Sequence, residues 1–111
     1  MVPVIHCHGF KLTDAIAEAV AARCEKLAQR ATVLSLTANL EKEASGQYRV
    51  HIDCSTAQEG AFDATAKGGD LYSLIHEAGD KLLRQLGSAI DRQSARHDRE
   101  RVNDHLAEAE A

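Results

Sequence analysis

The chain has 111 residues, 44% hydrophobic and 27% charged, with a formal net charge of −4 at pH 7. That length allows one domain around one modest core, and no apolar run approaches the roughly 18 residues that cross a bilayer. The acidic total argues against a molecule that binds polyanions over its whole surface. The first residues lack the charged-then-apolar layout of a secretory signal. Cys7, Cys24 and Cys54 are odd in number and widely spaced, which does not make a disulfide framework. A cytoplasmic protein with buried thiols in a reducing compartment is therefore expected.

Val2 to Cys7 is a short β-branched run and reads as a first strand, with Pro3 tolerable at its start or on an edge. Residues 8–12 connect it to a helix capped by Thr13, with Asp14 in its first turn. Ile16, Val20, Cys24 and Leu27 recur at helical spacing and mark its core stripe. Residues 32–40 then alternate, placing Leu34, Leu36, Ala38 and Leu40 on one face. Residues 41–47 are polar, contain Gly46, and read as a hairpin loop. Tyr48 to Ser55 alternates again, with Val50, Ile52 and Cys54 inward and Arg49, His51 and Asp53 outward. After a turn over residues 56–60, Ala61 to Ala66 forms a last strand with Phe62, Ala64 and Ala66 inward.

Gly68 and Gly69 then turn the chain into a long helix opened by Asp70, whose carboxylate suits the unpaired N–H groups of a helix start. At about 100° per residue, Leu71, Ile75, Ala78, Leu82, Leu86 and Ala89 gather on its buried side. Beyond Gln93 the apolar periodicity fades, and residues 96–111 read as a charged, disordered tail. The whole is an α+β fold in the order β-α-β-β-β-α over residues 1–95. Strands that alternate cleanly keep one face wet, so a four-stranded mixed sheet with both helices on the other face is expected, like a double-stranded-RNA-binding domain.

Charge is sorted along both helices. Arg23, Lys26 and Arg30 lie beside the apolar stripe of the first. Lys81, Arg84, Arg92, Arg96 and Arg99 form a similar strip on the second. Residues 80–101 hold six basic and four acidic residues, whereas residues 1–79 hold seven and ten. A local positive excess in an acidic chain is the pattern that docking on phosphate requires. The plain alternative is a solvated helix face with i, i+4 ion pairs.

Three segments resemble the family of ribosome hibernation-promoting factor and ribosome-associated inhibitor A, the sigma-54 modulation proteins. They are Ile5 to Thr13, Val20 to Leu27, and most specifically Ala64 to Leu86, with Asp70-Leu71-Tyr72, Ile75, and then Asp80-Lys81-Leu82 followed by Arg84-Gln85-Leu86. Together with the element order they span residues 2–93. The resemblance implies a non-enzymatic translation inhibitor that docks between head and body of the small ribosomal subunit and covers ground used by messenger and transfer RNA in non-growing, stressed cells. It implies RNA contact by Arg23, Lys26, Lys81 and Arg84, with Arg92 matching a basic position beyond Arg84-Gln85-Leu86; Arg30, Arg96 and Arg99 rest on helical geometry alone. With no second domain, the chain matches the short form. It departs from the pattern at Cys7, at Ala28-Gln29-Arg30 where an aromatic is usual, at His76 and at Ser88, changes that lower its positive charge.

No cofactor, metal, membrane or DNA partner is expected, and the chain is expected to be monomeric. In a strand His6 and His8 share one face while Cys7 points to the other, so this tripeptide is a poor metal site. Tyr72 reads as a half-buried packing residue, and His76 as a surface imidazole. The rival reading is a protein-interaction module of the same fold whose basic strips meet an acidic protein partner.

Overall fold

The computed structural model describes residues 2–110, with side chains through Arg92. Its elements are β1 (Val4–His8), α1 (Asp14–Ala28), β2 (Val33–Lys42), β3 (Tyr48–Thr56), β4 (Ala61–Gly68) and α2 (Leu71–Glu110). The four strands form one sheet in the order β1-β2-β3-β4. β1 runs parallel to β2, and the two hairpins that follow are antiparallel. Both helices pack on one face, α1 over β2 and α2 over β3 and β4, and they touch each other. The tail expected over residues 96–111 lies outside the described side chains.

The register explains the core. Cys7, Leu40, Val50 and Ala66 align in one cross-strand row, and Ile5, Ala38, Ile52 and Ala64 in the next. Side chains alternate across a strand, so both rows point toward the helices. There they meet Ile16, Val20, Cys24 and Leu27 of α1 and Leu71, Ile75, Ala78, Leu82 and Leu86 of α2, all buried. Leu74, which falls off the expected stripe, is buried as well. Burying one such Leu or Ile is worth about 1.5–3 kcal/mol.

Helix starts and turns follow local chemistry. Thr13 Oγ1 accepts from the Ile16 N–H at 3.3 Å, and Asp70 accepts from the Tyr72 N–H at 3.2 Å and the Ser73 hydroxyl at 2.7 Å. Each cap satisfies a donor that the first helical turn leaves unpaired. Gly9, at φ 85°, lies where an added Cβ would stand 3.0 Å from the Lys42 carbonyl oxygen. Glycine alone combines that backbone angle with that closeness.

One strand departs from the expected alternation. The register of β2 on β3 shifts between Val33 and Ser35, leaving Leu34 as the extra residue of a β-bulge. Leu34 is 60% exposed, while Val33 packs against the core. An inserted residue reverses the facing of everything before it. The expectation that Leu34 faces inward is corrected accordingly.

Among the described residues, the other face of the sheet bears no helix and is mostly polar. Its rows run His6, Asn39, His51, Thr65; then Val4, Thr37, Asp53, Asp63; then His8, Glu41, Arg49, Lys67.

Candidate nucleic-acid interface

Six of the expected basic site residues have described side chains, and they divide into two kinds. Lys26, in the last turn of α1, and Arg30, just beyond it, are exposed. So are Arg84 and Arg92 on α2, where each lies along its own helix. Arg84 Nε approaches the Asp80 carbonyl at 3.5 Å, and Arg92 Nε the Ser88 carbonyl at 3.4 Å. These contacts are long and exposed, and they leave the guanidinium ends open to a ligand. Among the described residues, none of these four cations is ion-paired with a carboxylate.

Arg23 and Lys81 are engaged within the fold. The Arg23 side chain is 13% exposed and crosses from α1 onto Gly79 of α2. Its Nη1 stands 3.6 Å from Asp80 Oδ1 and is buried without a hydrogen-bond partner among the described residues. Arg30 repeats the crossing further along, with Nη1 3.5 Å from where a Cβ on Gly87 would stand. The Arg23 contact shows why α2 carries glycine at 79, where a Cβ would meet that side chain, whereas at Gly87 the approach of Arg30 is an ordinary van der Waals distance.

Lys81 Nζ donates to the Thr65 carbonyl at 2.9 Å and lies 3.7 Å from Glu77. One turn on, Gln85 Nε2 donates to the Asp63 carbonyl at 2.9 Å. β4 ends the sheet, so its outward carbonyls lack strand partners. The two side chains satisfy those carbonyls and shield an edge that would otherwise invite pairing with another chain.

Asp80 sits inside the basic region. Its Oδ2 is 3.1 Å from His76 Nδ1, while Oδ1 faces Arg23. An open depression of about 520 Å³ beside it is lined by Tyr72, Ser73, His76, Glu77, Asp80 and Arg84. The second helix thus presents an interrupted basic strip, with a carboxylate between its cations. The side chains of Arg96 and Arg99 lie outside the described residues.

The thiols offer no reactive centre. Cys24 and Cys54 are buried and all three cysteines are unbridged. Burial raises each thiol above its ordinary pKa, and Cys54, which also has Cys24 nearby, is pushed up to about 11. A thiol held protonated is a poor nucleophile.

The family model described as sigma 54 modulation protein / S30EA ribosomal protein matches residues 4–94, and the chain belongs to that family. Its members are non-catalytic, and the chain is not an enzyme. Similar solved structures include the Thermus thermophilus Protein Y N-terminal domain, 22% identical with a TM-score of 0.68, over 78% of this chain and 96% of that one. A ribosomal subunit interface protein from Coxiella burnetii is 15% identical with a TM-score of 0.62, over 76% and 93%. At these identities the likeness is one of fold. Comparison with curated proteins gave no match.

Proposed function

We propose that this chain is a ribosome-associated translation inhibitor that docks on the small ribosomal subunit through its helix layer. The observation that carries the reading is membership of the sigma 54 modulation and S30EA family across residues 4–94. The geometry supplies the physical means. Lys26, Arg30, Arg84 and Arg92 are exposed on the helices of an otherwise acidic molecule. They neutralise RNA phosphates, and the release of condensed counterions supplies much of the binding free energy. Arg23 and Lys81 hold the surface in shape and add their positive charge from within it.

Folded RNA is read mainly by shape and backbone, so no base-reading side chains are required. Two Phe, two Tyr and no Trp make a poor platform for stacking single-stranded bases. The docked protein covers sites used by messenger and transfer RNA, and acts in non-growing cells as a stoichiometric blocker without a cofactor. The functional unit is residues 1–95, with residues 96–111 as an appendage.

The test is sedimentation of the purified chain with purified small subunits, paired with an in vitro translation assay. One copy per subunit, and inhibition that saturates at that ratio, support the reading. Failure to co-sediment at low salt contradicts it. A complex recovered from cells that survives ribonuclease instead identifies an acidic protein partner.

A further inference from the structure

The open face of the sheet holds a group of side chains that RNA docking through the helices does not use. Asp53 of β3 stands directly opposite Asp63 of β4. Carboxylates facing each other across neighbouring strands repel. Among the described residues, no lysine or arginine lies in ion-pair range of either one. Both face the ring of His51, two residues before Asp53 on the same strand. Nε2 of His51 is 3.1 Å from Asp53 Oδ1 and 3.7 Å from Asp63 Oδ2. The three potential ligand atoms all lie within 4.8 Å of one another.

We propose that His51, Asp53 and Asp63 bind a divalent transition-metal ion, with zinc as the best match, and that Thr65 orients the imidazole. Three features carry the assignment. First, ligands about 2.0–2.2 Å from a shared tetrahedral ion lie roughly 3.3–3.6 Å from each other, and the two N···O separations already bracket that range. Second, His51 Nδ1 lies 2.7 Å from Thr65 Oγ1, its cross-strand neighbour. In one tautomer Nε2–H donates to Asp53; in the other, Nδ1–H donates to Thr65 and the Nε2 lone pair points at two carboxylates, an arrangement that a cation satisfies. Metal-binding histidines are held by such a hydrogen bond on the other ring nitrogen. Third, one imidazole nitrogen with two carboxylate oxygens suits zinc or a neighbouring first-row ion, whereas calcium and magnesium take oxygen ligands.

The His51 side chain is 28% exposed, against 55% for Asp53 and 67% for Asp63. Water therefore completes the coordination sphere, and binding is reversible. All three residues project from the sheet face opposite the helices, so ion binding and subunit docking are separable.

The test uses the full chain, stripped of metal with a chelator and kept reduced. Zinc chloride is titrated at neutral pH by calorimetry, and the histidine ring resonances are followed by NMR. The expected result is one equivalent bound, with the His51 ring signals moving and those of His6 and His8 staying in place. Asp63→Asn and His51→Gln each weaken binding by about tenfold or more, and Thr65→Val by a smaller factor. Cys7→Ser, His6→Ala and His8→Ala bind as the wild type does. Asp63 is exposed, so Asp63→Asn keeps the test decisive should His51→Gln unfold. The proposal is overturned by the absence of saturable binding, by affinity retained in Asp63→Asn, or by affinity lost in Cys7→Ser.

Discussion

Arg23 lies flat against Gly79, and this contact between the two helices leaves its guanidinium beside Asp80. A cation that a helical projection assigns to solvent is thereby built into the seam between α1 and α2. The consequence is a testable coupling. A Cβ on Gly79 would stand 2.8 Å from Arg23 Cγ and 3.1 Å from its Cβ. Gly79→Ala should therefore destabilise the protein by about 1–3 kcal/mol through overpacking, despite the better helix propensity of alanine, worth about 1 kcal/mol. In an Arg23→Ala background the Cγ and Cδ clashes are gone and only the 3.1 Å Cβ contact remains, so the cost of Gly79→Ala should shrink. Urea unfolding of the four proteins measures that reduction, and additive effects would refute the coupling.

Asp80 is the carboxylate that interrupts the basic strip. Asp80→Asn removes its attraction for Arg23 and His76 while keeping its shape. Small-subunit affinity should rise by a few fold, since one charge near the surface is worth about 1 kcal/mol. Stability should fall by no more than about 1 kcal/mol, because the pair is largely solvated on the aspartate side. Sedimentation with subunits and urea unfolding read the two effects separately, and unchanged or weaker binding would count against RNA lying over this strip.

Lys81 should behave differently from Arg84. Removing the Lys81 amine leaves the Thr65 carbonyl at the sheet edge without its donor. Lys81→Met should cost about 0.5–1.5 kcal/mol of stability and raise the tendency of β4 to pair with other chains. Arg84→Gln should leave stability nearly unchanged and weaken subunit binding. Light scattering after mild heating distinguishes them, with Lys81→Met aggregating first.

The Cys54 thiol, raised to about 11, gives a pH dependence with a definite sign. The folded state holds the proton more tightly than the unfolded state, whose thiol titrates in the ordinary range at about 8.5. This contribution is complete at neutral pH and is lost as pH rises from that range through about 11. Cys54→Ala should flatten the alkaline fall in stability relative to wild type. Thiol reagents at mildly alkaline pH should modify Cys24 and Cys54 only after unfolding.

The fold is legible in the sequence because its core obeys two simple periods. Ile16, Val20, Cys24 and Leu27 repeat as one helix face, and Val50, Ile52 and Cys54 as one strand face, and all are buried. The exposure of Leu34 is not legible, because Val33 and Leu34 are both apolar and a single-residue bulge leaves no mark in composition. Among the site residues, a helical projection gives direction but not the partner. Asp80 is on the other helix from Arg23, and the Thr65 carbonyl belongs to backbone that no pattern of side chains announces. The His51, Asp53 and Asp63 group escapes a sequence reading for a related reason. Alternation makes His51 and Asp53 outward neighbours, but Asp63 joins them only through the register of the β3–β4 hairpin.

Equilibrium binding to small subunits across a range of salt tests most directly whether the helix layer, rather than the open sheet face, meets RNA. The informative comparison is Arg84→Gln on α2 against Arg49→Gln on the sheet. Loss of one phosphate contact should reduce the slope of log K against log salt by about 1. Docking through the helices predicts that reduction for Arg84→Gln and a wild-type slope for Arg49→Gln. The reverse result, or equal slopes for all three proteins, would contradict it.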